Sequence, residues 1–521
     1  MGSPDLRKRS LVWQRSGRPH RARAFARLCV FSLLSYWLVS TLFGAGKPAR
    51  AVVWGRVSDD ILDASLPVVE GQPESIVTIL AAATRSQAST YRRTNESSHF
   101  IQLLTALREV DPPWRPDVWQ IFTRNASSQI DGITCSLGIA GSDSVVFEGW
   151  THVPWAWDLV DSPSSEGSGS ALLLNCPLPT SALRQLRPGT RVRTRAGLPE
   201  SANVTVSLKL RGIAAPFALP TIHLRAYLTP PPTDIGLVVA PLFGSFIEHD
   251  VVEWAVHHRA LGLGPIHWYA RDRRFASWMD TWRQTDDAAA DTFRFAPPLD
   301  PETFGTSKLA VQGLYQDQVL YALDAILRST YLAPSRWLAF LDVDEFALPD
   351  PMPRTRSDRR KAIIRFLDGF GAEVPSISLG RTHSATNSHL GHLVDHRPGE
   401  ITPAPRLSEL GLIRSPQRSD WPGNHKHFHR VDAVASTSVH AVAELYPGHV
   451  YRAPIVPAEL RIVHLGRSDF DEGPYEEFVN SPAQRALSDE VWSRKDAALK
   501  QLHASGISRW LPHLRLQRPR F

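Results

Sequence analysis

Apolar and polar positions follow different rhythms along this chain, and the rhythm changes at definite places. Leu28–Gly46 (LCVFSLLSYWLVSTLFGAG) carries no charge. As a helix it spans roughly 28 Å, close to one bilayer core. Ile76–Thr84 and Ile101–Val110 are compact apolar runs that predict short helices. Between 118 and 229 short apolar runs recur: Ile133–Leu137, Ser144–Phe147, Ala171–Leu174, Val204–Leu210 and Ile222–Leu228. Gly, Pro and Ser clusters separate them, Ser162–Ser170 being the clearest. That spacing predicts an antiparallel β-sandwich. Thr229–Thr233 is a stiff proline-rich break, and a domain boundary is expected there.

Beyond the break the rhythm changes. Ile235–Pro241 reads as a fully buried strand. Ile247, Val251, Trp254, Ala255, His258 and Leu261 then recur at helical spacing until Gly262 and Gly264 stop the helix. Pro265–Tyr269 predicts a second strand, and the β-α-β order predicts an α/β layer with a parallel sheet. A further helix is expected over 313–329, with Val319, Leu323, Ile326 and Leu327 on one face. Asp317 and Asp324 fall on the opposite face, the pattern of a solvated surface. Trp337–Leu341 is another apolar strand, and it ends in Asp342-Val343-Asp344-Glu345.

Charge changes the picture at the N-terminus. The 521 residues include 58 basic and 52 acidic side chains, a net charge of +6. Arg7, Lys8, Arg9, Arg15, Arg18, Arg21, Arg23 and Arg27 precede the apolar run, against Asp5 alone. The rest of the chain is near neutral, so a nucleic-acid partner is discounted. Arginines before Leu28 predict a cytosolic tail over 1–27, a signal anchor over 28–46 and a lumenal remainder, of the single-pass type II, Golgi-membrane kind. Ala49-Arg50-Ala51 also fits a signal-peptide cleavage site, the competing reading. Residues 47–117 read as a stem. In an oxidising lumen Cys135 and Cys176 are candidates for a disulfide, and Asn95, Asn125 and Asn203 head glycosylation sequons.

The candidate chemistry sits at the end of the Trp337–Leu341 strand. In extended chain Asp342 and Asp344 project to one side and Val343 to the other. Close carboxylates repel unless a cation joins them, and Mn²⁺ or Mg²⁺ takes oxygen ligands together with substrate phosphates. Such a site suits release of a diphosphate from a nucleotide sugar. The competing reading is a solvated turn.

Several segments in order resemble glycosyltransferase family 92, which includes galactan synthases and galactosyltransferases. They are Val252-Glu253-Trp254 with His258 and Leu261-Gly262; His267–Asp272; Gln318–Asp324; Arg336-Trp337 with Phe340–Phe346; Lys426–Arg430; and Val439-His440. Together they span about 235–470. Ala325 stands where the family usually has Cys, and Asp286–Asp291 is unusually acidic. The resemblance implies an α/β, Rossmann-like GT-A domain over 234–511, inversion at the sugar carbon and a manganese-like metal. It also implies a UDP-sugar donor (UDP-galactose), a glycan or polysaccharide acceptor, and a carbohydrate-binding role for the β-rich segment 118–229.

Roles follow from residue type and from that resemblance. Asp342 and Asp344 are the expected metal ligands. His464, ending the run Arg461–His464, is the favoured third ligand and His440 the alternative. Asp324, Gln318 and Asp272 are donor-side candidates. Lys426 and Arg430 share a strand face and suit diphosphate binding, or else form a solvated basic edge. His425, His427 and His429 share the other face, where a zinc patch is the weaker option. An acceptor-side base is sought among Asp469, Glu345, Asp471 and Glu472, with Asp469 favoured, and Trp421 suits stacking on an acceptor sugar. Two further readings compete: a catalytically inert, membrane-anchored glycan-binding protein, and a metal-dependent phosphoesterase.

Overall fold

The computed structural model describes residues 52–56, 62–65, 75–86, 99–109, 130–139, 143–152, 171–186, 201–228, 232–239, 248–270, 273–295, 320–385, 412–414, 425–437, 444–445, 450–455, 459–464, 475–477 and 482–504. The expected membrane span 28–46 and the tail before it lie outside them. No helix among the described residues is long and apolar enough to cross a membrane.

The first strands are β1 (Val52–Arg56), β2 (Leu62–Ser65), β3 (Ser75–Ser86), β4 (His99–Glu109), β5 (Ile130–Ile139), β6 (Val145–His152) and β7 (Ala171–Pro177). The helix α1 (Thr180–Leu186) follows, then β8 (Ala202–Leu210), β9 (Phe217–Ala218) and β10 (Ile222–Leu228). Hydrogen-bonded neighbours run β1-β10-β8-β5-β6-β7-β4-β3, all antiparallel. Gly55 on β1 then pairs Ala83 on β3, which closes these eight strands into a barrel. The interior is filled: Val77, Ile101, Leu137, Leu174, Val206 and Leu224 form one apolar core, to which α1 adds Ala182 and Leu186. A small barrel of this kind is packed with side chains rather than open to a ligand. The Cys135–Cys176 disulfide joins β5 to β7 across β6 and closes a 41-residue separation. Gly149 on β6 makes room for it, since a Cβ there would lie 2.9 Å from Cys135 Sγ and 2.6 Å from the Asn175 carbonyl oxygen.

The second part holds β11 (Thr233–Val239), α2 (Glu248–Ala260), β12 (Ile266–Ala270), α3 (Arg273–Trp282), β13 (Thr292–Phe295), α4 (residues 320–328) and β14 (Ser335–Leu341). It continues with β15 (Glu345–Pro349), α5 (Arg356–Asp368), β16 (Ser376–Ala385), β17 (Leu412–Arg414), β18 (His425–Arg430), β19 (Val434–Ser436) and β20 (Glu444–Leu445). Last come β21 (Tyr451–Ile455), β22 (Leu460–His464), β23 (Tyr475–Glu477) and α6 (Pro482–Ala504). β13, β12, β11 and β14 are parallel neighbours. Antiparallel β18 and β16 extend the sheet past β14, then β17 and β23. β21 and β22 add to β16 in parallel, β15 pairs β22 antiparallel, and β19–β20 is a separate ribbon. Acids of the Asp-rich stretch serve packing: Asp287 pairs with Arg494 of α6, while Asp291 is buried against Arg259 and the Trp268 indole.

These observations correct the expected fold class. In place of a β-sandwich there is a closed antiparallel barrel, and three of its strands, β1, β3 and β4, come from the segment read as a stem. Strand spacing reports the length of each strand but says nothing about whether the last meets the first. Ile76–Thr84 is not a helix but lies within β3, and Ile101 up to Glu109 likewise lies within β4. Their apolar runs are unbroken because both faces are covered: Val77, Ile79 and Ile101 point into the barrel, while Leu80, Ala83 and Leu104 meet α4 outside. Downstream, the sheet is mixed: antiparallel β18 follows the parallel run β13-β12-β11-β14, so the parallel order does not continue across it. With the barrel, the described part of the chain is β-dominated rather than an alternating α/β, GT-A-like protein.

α4 explains how the two parts fit. Leu320, Leu323 and Leu327 pack on the barrel wall, while Tyr321, Ala322, Ala325 and Ile326 pack on the sheet beside Leu338 and Phe340. The face expected to be solvated is therefore buried, covered by a part of the chain distant in sequence. Gly55 sits directly against the Tyr331 ring, leaving no room for a Cβ. Arg85 of β3 donates to the Val431 carbonyl at 2.7 Å and to the Val434 carbonyl at 3.1 Å. Arg294 of β13 reaches back to the Leu80 carbonyl.

Candidate active site

β14 is apolar on both faces, with Trp337, Ala339 and Leu341 in one core and Leu338 and Phe340 in the other. It ends abruptly in acid. Residues 342–344 form a tight turn, closed by the Glu345 amide donating to the Asp342 carbonyl at 3.1 Å. β15 then starts at Glu345. Because this is a turn, the two aspartates meet different side chains. Asp342 accepts from Lys426 Nζ at 2.6 Å, and Asp344 Oδ2 lies 3.1 Å from His464 Nε2.

Glu345 links the two halves. Its carboxylate is fully buried, 3.0 Å from Lys426 Nζ, and it accepts from the Asp342 amide at 2.9 Å. Its Cα partner across the β15–β22 ladder is His464. Ligand atoms of Asp344, Glu345 and His464 all lie within 4.8 Å of one another, and no other such His, Cys, Asp or Glu group occurs among the described residues. Asp344 is the most open of the three, its side chain 48% exposed against 20% for His464. Two carboxylates and an imidazole are a donor set that could hold Mn²⁺ or a similar ion, with Asp344 its half-exposed member.

Some expected site residues are elsewhere. Lys426 is fully buried with two carboxylates on its ammonium, so it braces the turn instead of waiting for a diphosphate. Arg430 stands opposite Trp337, four residues and about 13 Å farther along β18. It pairs with Asp432 there, so one strand face does not amount to one site. Asp324 is buried under the barrel and enclosed by Arg294, by Arg328 at 2.9 Å and by the Tyr269 hydroxyl at 2.8 Å. Burial alone would raise its pKa, but the two guanidiniums hold it below the usual carboxylate range, while burial and Asp324 push Tyr269 well up. His427 and His429 stack at 5.5 Å, and His429 is engaged by Ser376 and Thr437 at 2.9 and 2.8 Å. Gln318, Asp272, Asp469, Asp471, Glu472, His440 and Trp421 lie outside the described residues.

Three contributors were not legible as such. α2 is buried on every side from Val251 onward, and its Trp254, His257 and His258 meet the backbone of β15. Their run of rings at helical spacing was visible. That they serve the acidic turn required knowing which strand they face.

The sequence profile of glycosyltransferase family 92 matches residues 234–502, more than half of the chain. The chain belongs to glycosyltransferase family 92. It is therefore a glycosyltransferase, and the acidic turn lies inside the matched region. A search among curated proteins finds no match. Among solved structures, apo UDP-glucose pyrophosphorylase is 10% identical, over 53% of this chain and 99% of that one, with a TM-score of 0.19. The same enzyme complexed with UDP-glucose gives 10%, 52%, 99% and 0.20. Purple acid phosphatase PPD1 from yellow lupin seeds is 8% identical, over 48% of this chain and 52% of that one, with a TM-score of 0.17. Likenesses this slight carry no argument.

Proposed function

We propose that this family 92 member transfers a hexose, galactose first among the candidates, from a UDP-sugar to a glycan or polysaccharide acceptor, with inversion and with Mn²⁺ or Mg²⁺ as cofactor. The observation that carries the reading is the Asp344–Glu345–His464 cluster at the end of β14. A divalent ion held by these three would neutralise the departing diphosphate. Lys426 holds Asp342 and Glu345 in place, so the turn keeps its shape despite three neighbouring carboxylates. Half-exposed Asp344 faces the side from which substrate oxygens arrive. Glu345, buried against Lys426, suits support of the cation better than contact with an acceptor hydroxyl. The acceptor base is then proposed to be Asp469, close after His464 in sequence. The Cys135–Cys176 disulfide supports an oxidising compartment, of which the Golgi lumen is our choice.

The test is turnover of a panel of nucleotide sugars by the purified full chain, with and without Mn²⁺. UDP-hexose turnover abolished by chelation and restored by Mn²⁺ is expected. Turnover that is indifferent to chelation, or full activity in Asp344→Ala with His464→Ala, overturns the metal reading.

A further inference from the structure

β15 begins at Glu345, and its only ladder partner among the described residues is β22. Its other edge ought to present unpaired backbone groups. Residues two apart in a strand aim their amide and carbonyl groups at the same edge. On the edge away from β22 these groups include the Glu345 carbonyl and the Ala347 amide and carbonyl. Each of these three is met by a ring of α2. Trp254 Nε1 donates to the Glu345 carbonyl at 2.7 Å. His257 Nε2 lies 3.0 Å from the Ala347 carbonyl. The Ala347 amide donates to His258 Nε2 at 3.3 Å. These contacts fix the ring states: His258 accepts through Nε2 and donates Nδ1–H to the Trp254 carbonyl at 2.8 Å, while His257 donates through Nε2. All three rings are fully buried; His258 packs on Trp254 and His257, and both histidines pack on Phe346.

We propose that Trp254, His257 and His258 are positioning residues that act as a surrogate strand, setting the height and tilt of Glu345 relative to Asp344 and His464. Helix packing by apolar residues would have served the core equally well. Three ring nitrogens matched to three successive edge groups serve a narrower purpose: they hold the first residue of β15 without spending a further strand on it. The link to catalysis rests on the proposed cation site, whereas the bracing of the strand does not.

Two measurements separate these layers. Hydrogen exchange on the full chain reads the brace alone. The Ala347 amide is expected to exchange as slowly as those of Phe346 and Leu348, and rapid exchange at Ala347 overturns the proposal. Mn²⁺ titration followed by electron paramagnetic resonance reads the consequence. Trp254→Phe and His257→Leu are expected to weaken Mn²⁺ by about tenfold or more, the scale of losing an outer support of a metal ligand. His257→Gln, which keeps a donor, is expected to recover most of that loss. Equal losses of thermal stability with Mn²⁺ affinity and donor KM unmoved would reduce the rings to core filling and sink the proposal. If the unaltered chain binds no Mn²⁺, the cation reading fails, and slow Ala347 exchange still stands for the brace.

Discussion

Two acidic centres in this molecule are built from similar parts and are put to different use. Asp324 is surrounded by Arg294, Arg328 and Tyr269, beneath the barrel wall and almost without exposure. The Asp342–Glu345 turn has Lys426 and His464 for partners, but Asp344 is half open. In the first, charges on either side are mutually committed, and the cluster ties the barrel to the sheet through Arg294 and Leu80. In the second, one carboxylate is left facing outward with an imidazole at its side. Acid surrounded by base is thus a structural device when closed and a site when one ligand atom stays open. Residue types alone do not separate the two.

The largest effect should come from breaking the closed centre. Asp324→Asn leaves two buried guanidiniums short of a charge and should cost about 3–5 kcal/mol of stability. Calorimetry of the full chain checks this, and donor KM measured on the folded fraction should not move. If KM rises sharply at little cost in stability, Asp324 belongs to the donor site after all.

Asp344→Ala is the mirror experiment. Activity should fall about 10²–10³-fold, the range for losing one electrostatic stabiliser. The melting temperature should barely change, because the side chain is half in water.

Acid should separate the centres next. Burial lowers the pKa of His267, beside the Asp324 cluster, to about 4, and that of His429 to about 3. Each ring is neutral when folded and takes a proton more readily when unfolded, so falling pH favours the unfolded chain. Their contribution is complete above pH 6.5 and is lost as pH falls through the window from 6.5 toward 4 and 3. Denaturant midpoints measured between pH 7 and 4 should decline steadily. A midpoint independent of pH across that range contradicts the buried neutral rings.

Gly149→Ala should cost about 1–3 kcal/mol, since the methyl meets the disulfide and the Asn175 carbonyl. The smallest effect is expected at the exposed Arg336–Asp368 pair, where Arg336→Ala should change stability by about 1 kcal/mol or less. A larger loss there would mean that openness is a poor guide to what a charged cluster does, and the contrast drawn above would weaken.

The sequence by itself determined the family, the strand that ends in Asp342-Val343-Asp344-Glu345, and the candidacy of His464. Each depends on local order: an apolar run, an acidic terminus and motifs in sequence. Two cysteines suited to pairing were likewise visible, though not that β5 and β7 bring them together. Only the tertiary structure decided the rest. Closure of the barrel depends on Gly55 meeting Ala83, a pairing that no spacing encodes. The burial of Asp324 depends on a barrel wall more than 200 positions earlier in the chain, reached through Arg294 and Leu80. The move of Lys426 from expected phosphate ligand to brace depends on a turn whose geometry breaks the alternation assumed for extended chain. The service of Trp254, His257 and His258 to β15 depends on which strand edge lies against α2. Local pattern specifies which groups a segment offers, whereas long-range packing decides which of them remain open to do chemistry.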